Sequence, residues 1–276
     1  MREHLHSRTG NPQLCDTNVE TGAKQYDGTV RLHDGDTDVH QMGKLGVFAE
    51  SIVIPQQACS PIPDEVPFSV AALMGCCVTT GVGAVINNPA ATPGMTVAVF
   101  GCGGVGLSVI QGARLSEASR IIAVDILDHK LEFTYKFGAT DVVNARGTDA
   151  VEAIKEITGG GVDMAFDSFG SAKTISQAVK AVRKGGTAVL IGLAPIGETA
   201  PIDMLDMVRH QKTLVGSYYG SASPHETFGK LVDFYLRGRL DVDSLITRSY
   251  ALEQINEGFA ALAGGEDGRG VIAFGP

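Results

Sequence analysis

Positive charge is scarce in this sequence. Lys and Arg total 22 against 31 Asp and Glu, a formal net charge of −9 at pH 7. No basic stripe reverses that sign locally, so a nucleic-acid backbone would be repelled and no nucleic-acid partner is expected. Uninterrupted apolar runs approaching eighteen residues are absent, and Met1 to His6 lack the apolar core of a signal peptide. Neither a membrane partner nor export is therefore expected, and the reading is cytoplasmic. The five cysteines, at 15, 59, 76, 77 and 102, form no CxxC pair. That excludes a secreted disulfide scaffold and leaves reduced thiols, some of them open to a metal.

What is abundant is apolar content and glycine: 44 % hydrophobic residues, 19 % charged, and 35 glycines. These suit a well-folded chain with many tight βα turns, and the length suits two domains. Residues 1–45 read as polar loop, broken at Gly10, Pro12, Gly22, Gly28, Gly35 and Gly43. The run Val47–Pro55 reads as a strand, and a helix follows from Ser69. After Pro93-Gly94 short apolar strands alternate with helices. The strands are 96–100, 120–125, 141–144, 162–167, 187–192 and 213–219; the helices are 105–115, 128–137, 150–157 and 172–182. This pattern indicates a parallel, doubly wound sheet covered on both faces. From Pro224 the rhythm breaks into helices at 224–237 and 252–262 and a last strand at 270–274. That tail is too small to fold alone and is expected to pack against residues 1–75.

Strand 96–100 runs directly into Gly101-Cys102-Gly103-Gly104-Val105-Gly106. A lone GxGxxG is weak, but here a strand precedes it and a helix opens within it. The glycines then permit the tight turn, close approach of backbone to a pyrophosphate, and close helix packing. The next strand ends in Asp125, 19 residues past Gly106, where a carboxylate meets the ribose hydroxyls and repels a 2′-phosphate. NAD is favoured over NADP, and Lys130, a helical turn on, can reach the same ribose.

The sequence resembles the zinc-dependent, medium-chain alcohol dehydrogenase family along nearly its whole length. The likeness rests on LMGC (73–76), TTGVGA (79–84), Pro93-Gly94, VAVFGCGGVGLSVIQGA, IIAVDI with Lys130, FGATDVVN, GGVDMAFDSFG, LIGLAP, INEGFAAL and Gly268-Arg269-Gly270. The resemblance implies an α/β fold in which a Rossmann domain (78–218) interrupts a mainly β, GroES-like catalytic domain. That second domain would comprise residues 1–77 and the return 219–276, and would be incomplete at its N-terminus. It implies zinc- and NAD-dependent oxidation of a small alcohol to an aldehyde by a homodimer or homotetramer, with the edge strand near 187–193 extending the sheet across the dimer. By position, Cys76 matches the third catalytic zinc ligand and Thr80 a residue beside the nicotinamide. Asp125 and Lys130 match the ribose pair, Arg269 a pyrophosphate contact, and Ile191, Leu193 and Ser217 to Tyr219 the nicotinamide pocket. Leu193, Tyr218, Tyr219 and Phe48 suggest an apolar substrate wall.

By the same resemblance the family's other catalytic zinc ligands and its proton-relay hydroxyl would fall ahead of Met1, so the chain reads as N-terminally truncated. Of the four structural-zinc positions only Cys15 keeps a thiol, and a structural site wants four firm ligands. His4, His6, His33, His40, His210 and His225 read as solvated histidines, and Cys59, Cys77 and Cys102 as structural thiols. Two other readings stand beside the dehydrogenase: an inactive NAD-binding remnant, and a zinc-free quinone-reductase-like member.

Overall fold

In a computed structural model the chain is described over residues 10–265 and 268–274. His4 and His6 lie outside the described residues.

The first part is less bare than its composition suggests. A short helix, α1 (Asp16–Thr21), is followed by a hairpin of β1 (Leu32–Asp34) and β2 (Thr37–Val39). The turn lies at Gly35 and Asp36, where Gly35 takes φ +57°, the positive φ that tight hairpin turns need. Both strands are three residues long and exposed throughout, so no apolar alternation betrays them. The lobe is tied by Lys44, 5 % exposed. Its ammonium donates to Thr21 Oγ1 at 2.7 Å, Gly22 O at 2.8 Å and Lys24 O at 2.9 Å.

The strand expected over Val47–Pro55 does not form. A strand needs a hydrogen-bonded neighbour, and none lies alongside among the described residues; Val53 is 93 % exposed.

The helix expected from Ser69 is one continuous run of α2 (Phe68–Leu73), a π-turn (Met74–Val78) and α3 (Thr79–Ile86). By length and hydropathy it could cross a membrane, yet Val70, Met74, Val78, Val82 and Val85 are each 0 % exposed inside the core. It packs on α4 (Gly104–Leu115). A Cβ on Gly81 would meet the Val105 carbonyl and Ser108, and one on Gly112 would lie 3.1 Å from Val82 Cα, so glycines on both helices set this close approach.

The sheet is built from β3 (Thr96–Phe100), β4 (Arg120–Asp125), β5 (Asp141–Asn144), β6 (Val162–Asp167), β7 (Val182–Leu190) and β8 (Thr213–Gly216). All six are parallel, in the order β5-β4-β3-β6-β7-β8. The first four match the sequence expectation. In β3, Val97 and Val99 face one core cluster and Ala98 and Phe100 the other, which is why the strand reads as a continuous apolar run. Helices α5 (Asp128–Thr134), α6 (Ala150–Thr158) and α7 (Ala172–Ala181) follow the strands. The segment near 187–193 is not the edge: β7 pairs with β8, which takes that place.

After α8 (Met204–Arg209) and β8 the tail forms α9 (Pro224–Leu236), β9 (Ile246–Tyr250), α10 (Ile255–Ala263) and β10 (Arg269–Ile272), with β9 and β10 paired in parallel. Its apolar residues Leu231, Leu240, Val242 and Leu245 join the cluster of Val70, Val82 and Ile110. Gln111 on α4 clamps Asp241, accepting its N–H at 2.8 Å and donating to its carbonyl at 2.9 Å. The tail thus packs mainly on α3 and α4, and it meets residues 1–75 at Val70 in that cluster, at Ser60, whose hydroxyl hydrogen-bonds the His225 ring at 2.7 Å, and at Phe48, whose ring meets Phe259 edge-on at 6.0 Å. Each fully buried Leu or Val in this seam contributes about 1.5–3 kcal/mol.

Candidate functional site

The chain leaves β3 toward β4 and β5 on one side, then returns to β6 on the other. The ligand crevice of such a sheet opens above the carboxyl ends of the strands at this reversal. Gly101 to Gly106 lie there. Gly101 takes φ +91°, and its carbonyl accepts the Ser168 hydroxyl at 2.7 Å. A Cβ on Gly106 would collide with the Gly101 carbonyl, whereas one on Gly103 would meet nothing within 4 Å. Gly103 is the N-cap of α4 and offers no side-chain cap, so the first amides of the helix are left for a ligand, at the end whose dipole favours negative charge.

Arg269 comes from β10, some 165 residues from this turn. Its guanidinium lies across Gly104, where any Cβ would strike it. Its Nε is buried and has no hydrogen-bond partner among the described residues. Burial pushes the neighbouring Cys77 thiol up, with Arg269 opposing, so that thiol stays neutral. A buried guanidinium donor without an acceptor, at an uncapped helix N-terminus, fits a phosphate group.

Asp125 ends β4 on the other side of the turn. Its carboxylate accepts the Cys102 N–H at 2.8 Å, the Ile126 N–H at 2.7 Å and the Leu127 N–H at 3.2 Å. It is half-buried and fixed in direction at the crevice mouth. Burial first, then the Asp125 charge, raise the Cys102 thiol, with Lys130 opposing, so both charges stand near Cys102. Cys102 and Cys77 are buried as expected of structural thiols; Cys59 is exposed instead, because its short 3-10 turn lies on the surface.

Two flanking residues escaped the sequence reading. Ile126 is 51 % exposed and Phe169 68 % exposed, just beyond the ends of β4 and β6, and Phe169 packs against Gly101. Exposed apolar side chains on both rims suit a flat ring such as a nucleobase. The signal for Phe169 was its place right after the strand VDMAFD. Between them Asp167 is fully buried. Burial pushes its carboxyl up, against the Thr174 hydroxyl and the N–H groups of Gly170 and Phe169.

Cys76 occupies the second corner. In the π-turn, Thr79 Oγ1 donates to Met74 O at 2.6 Å, and the extra residue turns Cys77 into the core while Gly75 and Cys76 remain exposed. Single π-turns of this kind recur at functional sites. Thr80 follows one helical turn later, half-buried. Facing this corner is the segment after β8. Ser217 is 8 % exposed, and its N–H donates to Leu190 O at 2.8 Å. Tyr219, Gly220 and Ser221 all take positive φ, at +53°, +78° and +60°, a strain of about 1–2 kcal/mol for each non-glycine residue. The Tyr219 hydroxyl donates to the Gly75 carbonyl. Burial, then the Cys76 thiol and Tyr218, raise the Tyr219 phenol. Ile191 is 7 % exposed and Leu193 76 % exposed, so the two expected wall residues differ: one is core, the other rim.

No group of three His, Cys, Asp or Glu side chains converges among the described residues. Cys76 stands there as one ligand where a catalytic zinc takes three from protein, and Cys15, half-buried, stands likewise alone where a structural zinc takes four. The described residues do not fit a zinc ion at either place.

Residues 104–237 match the family model of zinc-binding dehydrogenases. Over 274 residues the chain is 38 % identical to an S-(hydroxymethyl)glutathione dehydrogenase of Saccharomyces cerevisiae, covering 96 % of this chain and 70 % of that protein. Among solved structures, benzyl alcohol dehydrogenase from Acinetobacter calcoaceticus is similar with a TM-score of 0.84 and 30 % identity, over 99 % of this chain and 75 % of its own. An alcohol dehydrogenase zinc-binding domain protein from Burkholderia ambifaria gives a TM-score of 0.75 at 36 % identity, over 79 % of this chain but 58 % of its own.

Proposed function

The chain belongs to the zinc-dependent medium-chain alcohol dehydrogenase family, and is an alcohol dehydrogenase-type oxidoreductase by that membership; from this we propose that it binds NAD(H) in the crevice over β3 and β6 and interconverts a primary alcohol and its aldehyde. The observation that carries the cofactor reading is the unpartnered Arg269 Nε over Gly104. Arg269 and the first amides of α4 hold the pyrophosphate, and Asp125, with Lys130 behind it, takes the adenosine ribose. The Asp125 charge disfavours a 2′-phosphate, which selects NAD over NADP. Ile126 and Phe169 flank the adenine. Ser217 to Tyr219, with Ile191 and Leu193, form the nicotinamide wall opposite Thr80 and Cys76.

When bound, the nicotinamide takes or returns a hydride at its C4. The chain's own part is to orient that ring and to shield it, the apolar faces of Leu193 and Tyr218 limiting water on the open side. Zinc is the family's expectation, but among the described residues Cys76 stands alone at this corner, with no two further His, Cys, Asp or Glu side chains beside it to complete a site. A hydroxymethyl-thiol adduct is the substrate class that the yeast relative's name favours. The single ligand equally favours a second reading, in which the chain binds NAD without turnover.

We infer a homodimer formed through the free edge of β8 and the helix before it, where Leu205 and Val208 are 59 % and 76 % exposed; light scattering would give twice the chain mass. Five free thiols favour a reducing compartment such as the cytoplasm. Calorimetry with NAD⁺ and NADP⁺, followed by an NADH assay over an alcohol panel with and without added zinc, tests the function. Binding without NADH formation would retain the second reading and refute the first; no binding would refute both.

A further inference from the structure

Tyr219 occupies backbone that a tyrosine avoids, within a run of three left-handed residues from Tyr219 to Ser221. Two contacts hold this turn against α3 and its C-cap, and a third closes the turn on itself. Gly220 abuts the Thr79 carbonyl, where a Cβ would come within 2.5 Å, and also lies against Gly83. Asn87 Nδ2 donates to the Gly220 carbonyl at 2.9 Å. The Ser221 hydroxyl donates to Ser217 Oγ at 2.8 Å. None of these needs the Tyr219 ring. The left-handed twist turns that ring back over the π-turn, where its hydroxyl donates to Gly75 O, the carbonyl just before Cys76.

The receiving corner has little packing of its own. Gly75 and Cys76 are exposed, and a Cβ on Gly75 would find nothing within 4 Å. We propose that Tyr219 is a positioning residue: through the Gly75 carbonyl its hydroxyl locks the Cys76 turn to the Ser217–Ser221 segment, so that the thiol corner and the nicotinamide wall move as one body. The part concerning the wall rests on the NAD(H) reading above; the tie itself does not.

The test is Tyr219→Phe in the full chain. Phenylalanine keeps the ring and its packing, and the exposed Gly75 carbonyl can be hydrated, so folding is retained. Alkylation of Cys76 by iodoacetamide is followed by peptide mass spectrometry against Cys59, the other exposed thiol, which serves as internal reference. In Tyr219→Phe the Cys76/Cys59 rate ratio rises about fivefold, the equilibrium share of one typical hydrogen bond, while the melting temperature falls by no more than the roughly 2–4 °C that the same bond carries in a chain of this size. NADH affinity, read by its fluorescence, falls about three- to tenfold on the same grounds. An unchanged ratio overturns the tie, and so does a ratio that rises only together with a larger fall in melting temperature, which would report general loosening. Should the wild-type chain bind no NADH, the cofactor reading fails while the ratio still decides the tie. Asp125→Ala is the converse control: it weakens NADH but leaves the ratio as in the wild type, and a raised ratio there refutes a tie specific to Tyr219.

Discussion

Arg269→Met separates the two roles an arginine can have at a glycine-rich turn. The guanidinium Nε is buried without an acceptor among the described residues, and a buried donor left unpaired costs about 1–3 kcal/mol. Methionine keeps most of the aliphatic stem over Gly104 and removes that donor, at the loss of the contact with the Cys77 thiol. The apo variant is therefore expected to melt no lower than the wild type, and up to several degrees higher at roughly 2–4 °C per kcal/mol for a chain of this size. Binding moves the other way. A charged hydrogen bond to phosphate is worth about 1.5–3 kcal/mol, so NADH binds about 10- to 150-fold more weakly. At a concentration one hundred times the wild-type Kd, NADH stabilises the wild type by about 2.7 kcal/mol, but a variant weakened a hundredfold by only about 0.4 kcal/mol. Paired thermal melts with and without NADH read both numbers from one preparation. A variant that melts more than about 5 °C lower without ligand, yet keeps the full NADH shift, would show that Arg269 is a structural tie and that the pyrophosphate lies elsewhere.

Three further outcomes follow from single positions. Gly106→Ala forces a Cβ onto the Gly101 carbonyl; moving that backbone costs about 1–3 kcal/mol, so chemical denaturation should shift accordingly and NADH binding be lost with it. Asp125→Asn keeps an acceptor for the Cys102 N–H but removes the charge, and calorimetry should find the preference for NAD⁺ over NADP⁺ reduced roughly tenfold. Asp163 is partly buried, which raises its carboxyl, but the Thr96 N–H and hydroxyl and Arg183 prevail and hold it below 3.8. A folded pKa below the unfolded one stabilises above the unfolded value, and that stability is lost as pH falls through the folded value. Acid titration should accordingly show Asp163→Asn less stable than wild type near neutrality, with the gap closing below about pH 4.

Legibility in the sequence tracked the range of the interactions involved. Strands β3, β4 and β6 and the Gly101–Gly106 turn were readable because each is specified locally: both faces of these strands are largely buried, and the turn's glycines answer to one another's atoms, as Gly106 does to the Gly101 carbonyl. The start of β7 was misjudged because Arg183 to Gly185, just after its buried first residue Val182, are exposed and fall where the register with β6 shifts, so they carry no apolar pattern. The Val47–Pro55 run failed for the opposite reason: its pattern is that of a strand, but pairing is a property of a neighbour, and none stands alongside among the described residues.

The two corners of the candidate site divide on the same ground. The proposed cofactor corner has one long-range member, Arg269, which the family resemblance nominated and which lies across Gly104. The thiol corner shows what pattern alone misses. That Cys76 faces out while Cys77 faces in depends on one extra residue in the π-turn, and the contact of Tyr219 with Gly75 spans 144 residues. A left-handed tyrosine carries no sequence signature, since its conformation is imposed by Gly220 and Gly83 meeting back to back. Backbone strain kept at one point and tied by side-chain hydrogen bonds marks a position whose geometry matters beyond packing, and it is why the Tyr219 hydroxyl, rather than its ring, should govern the Cys76 turn.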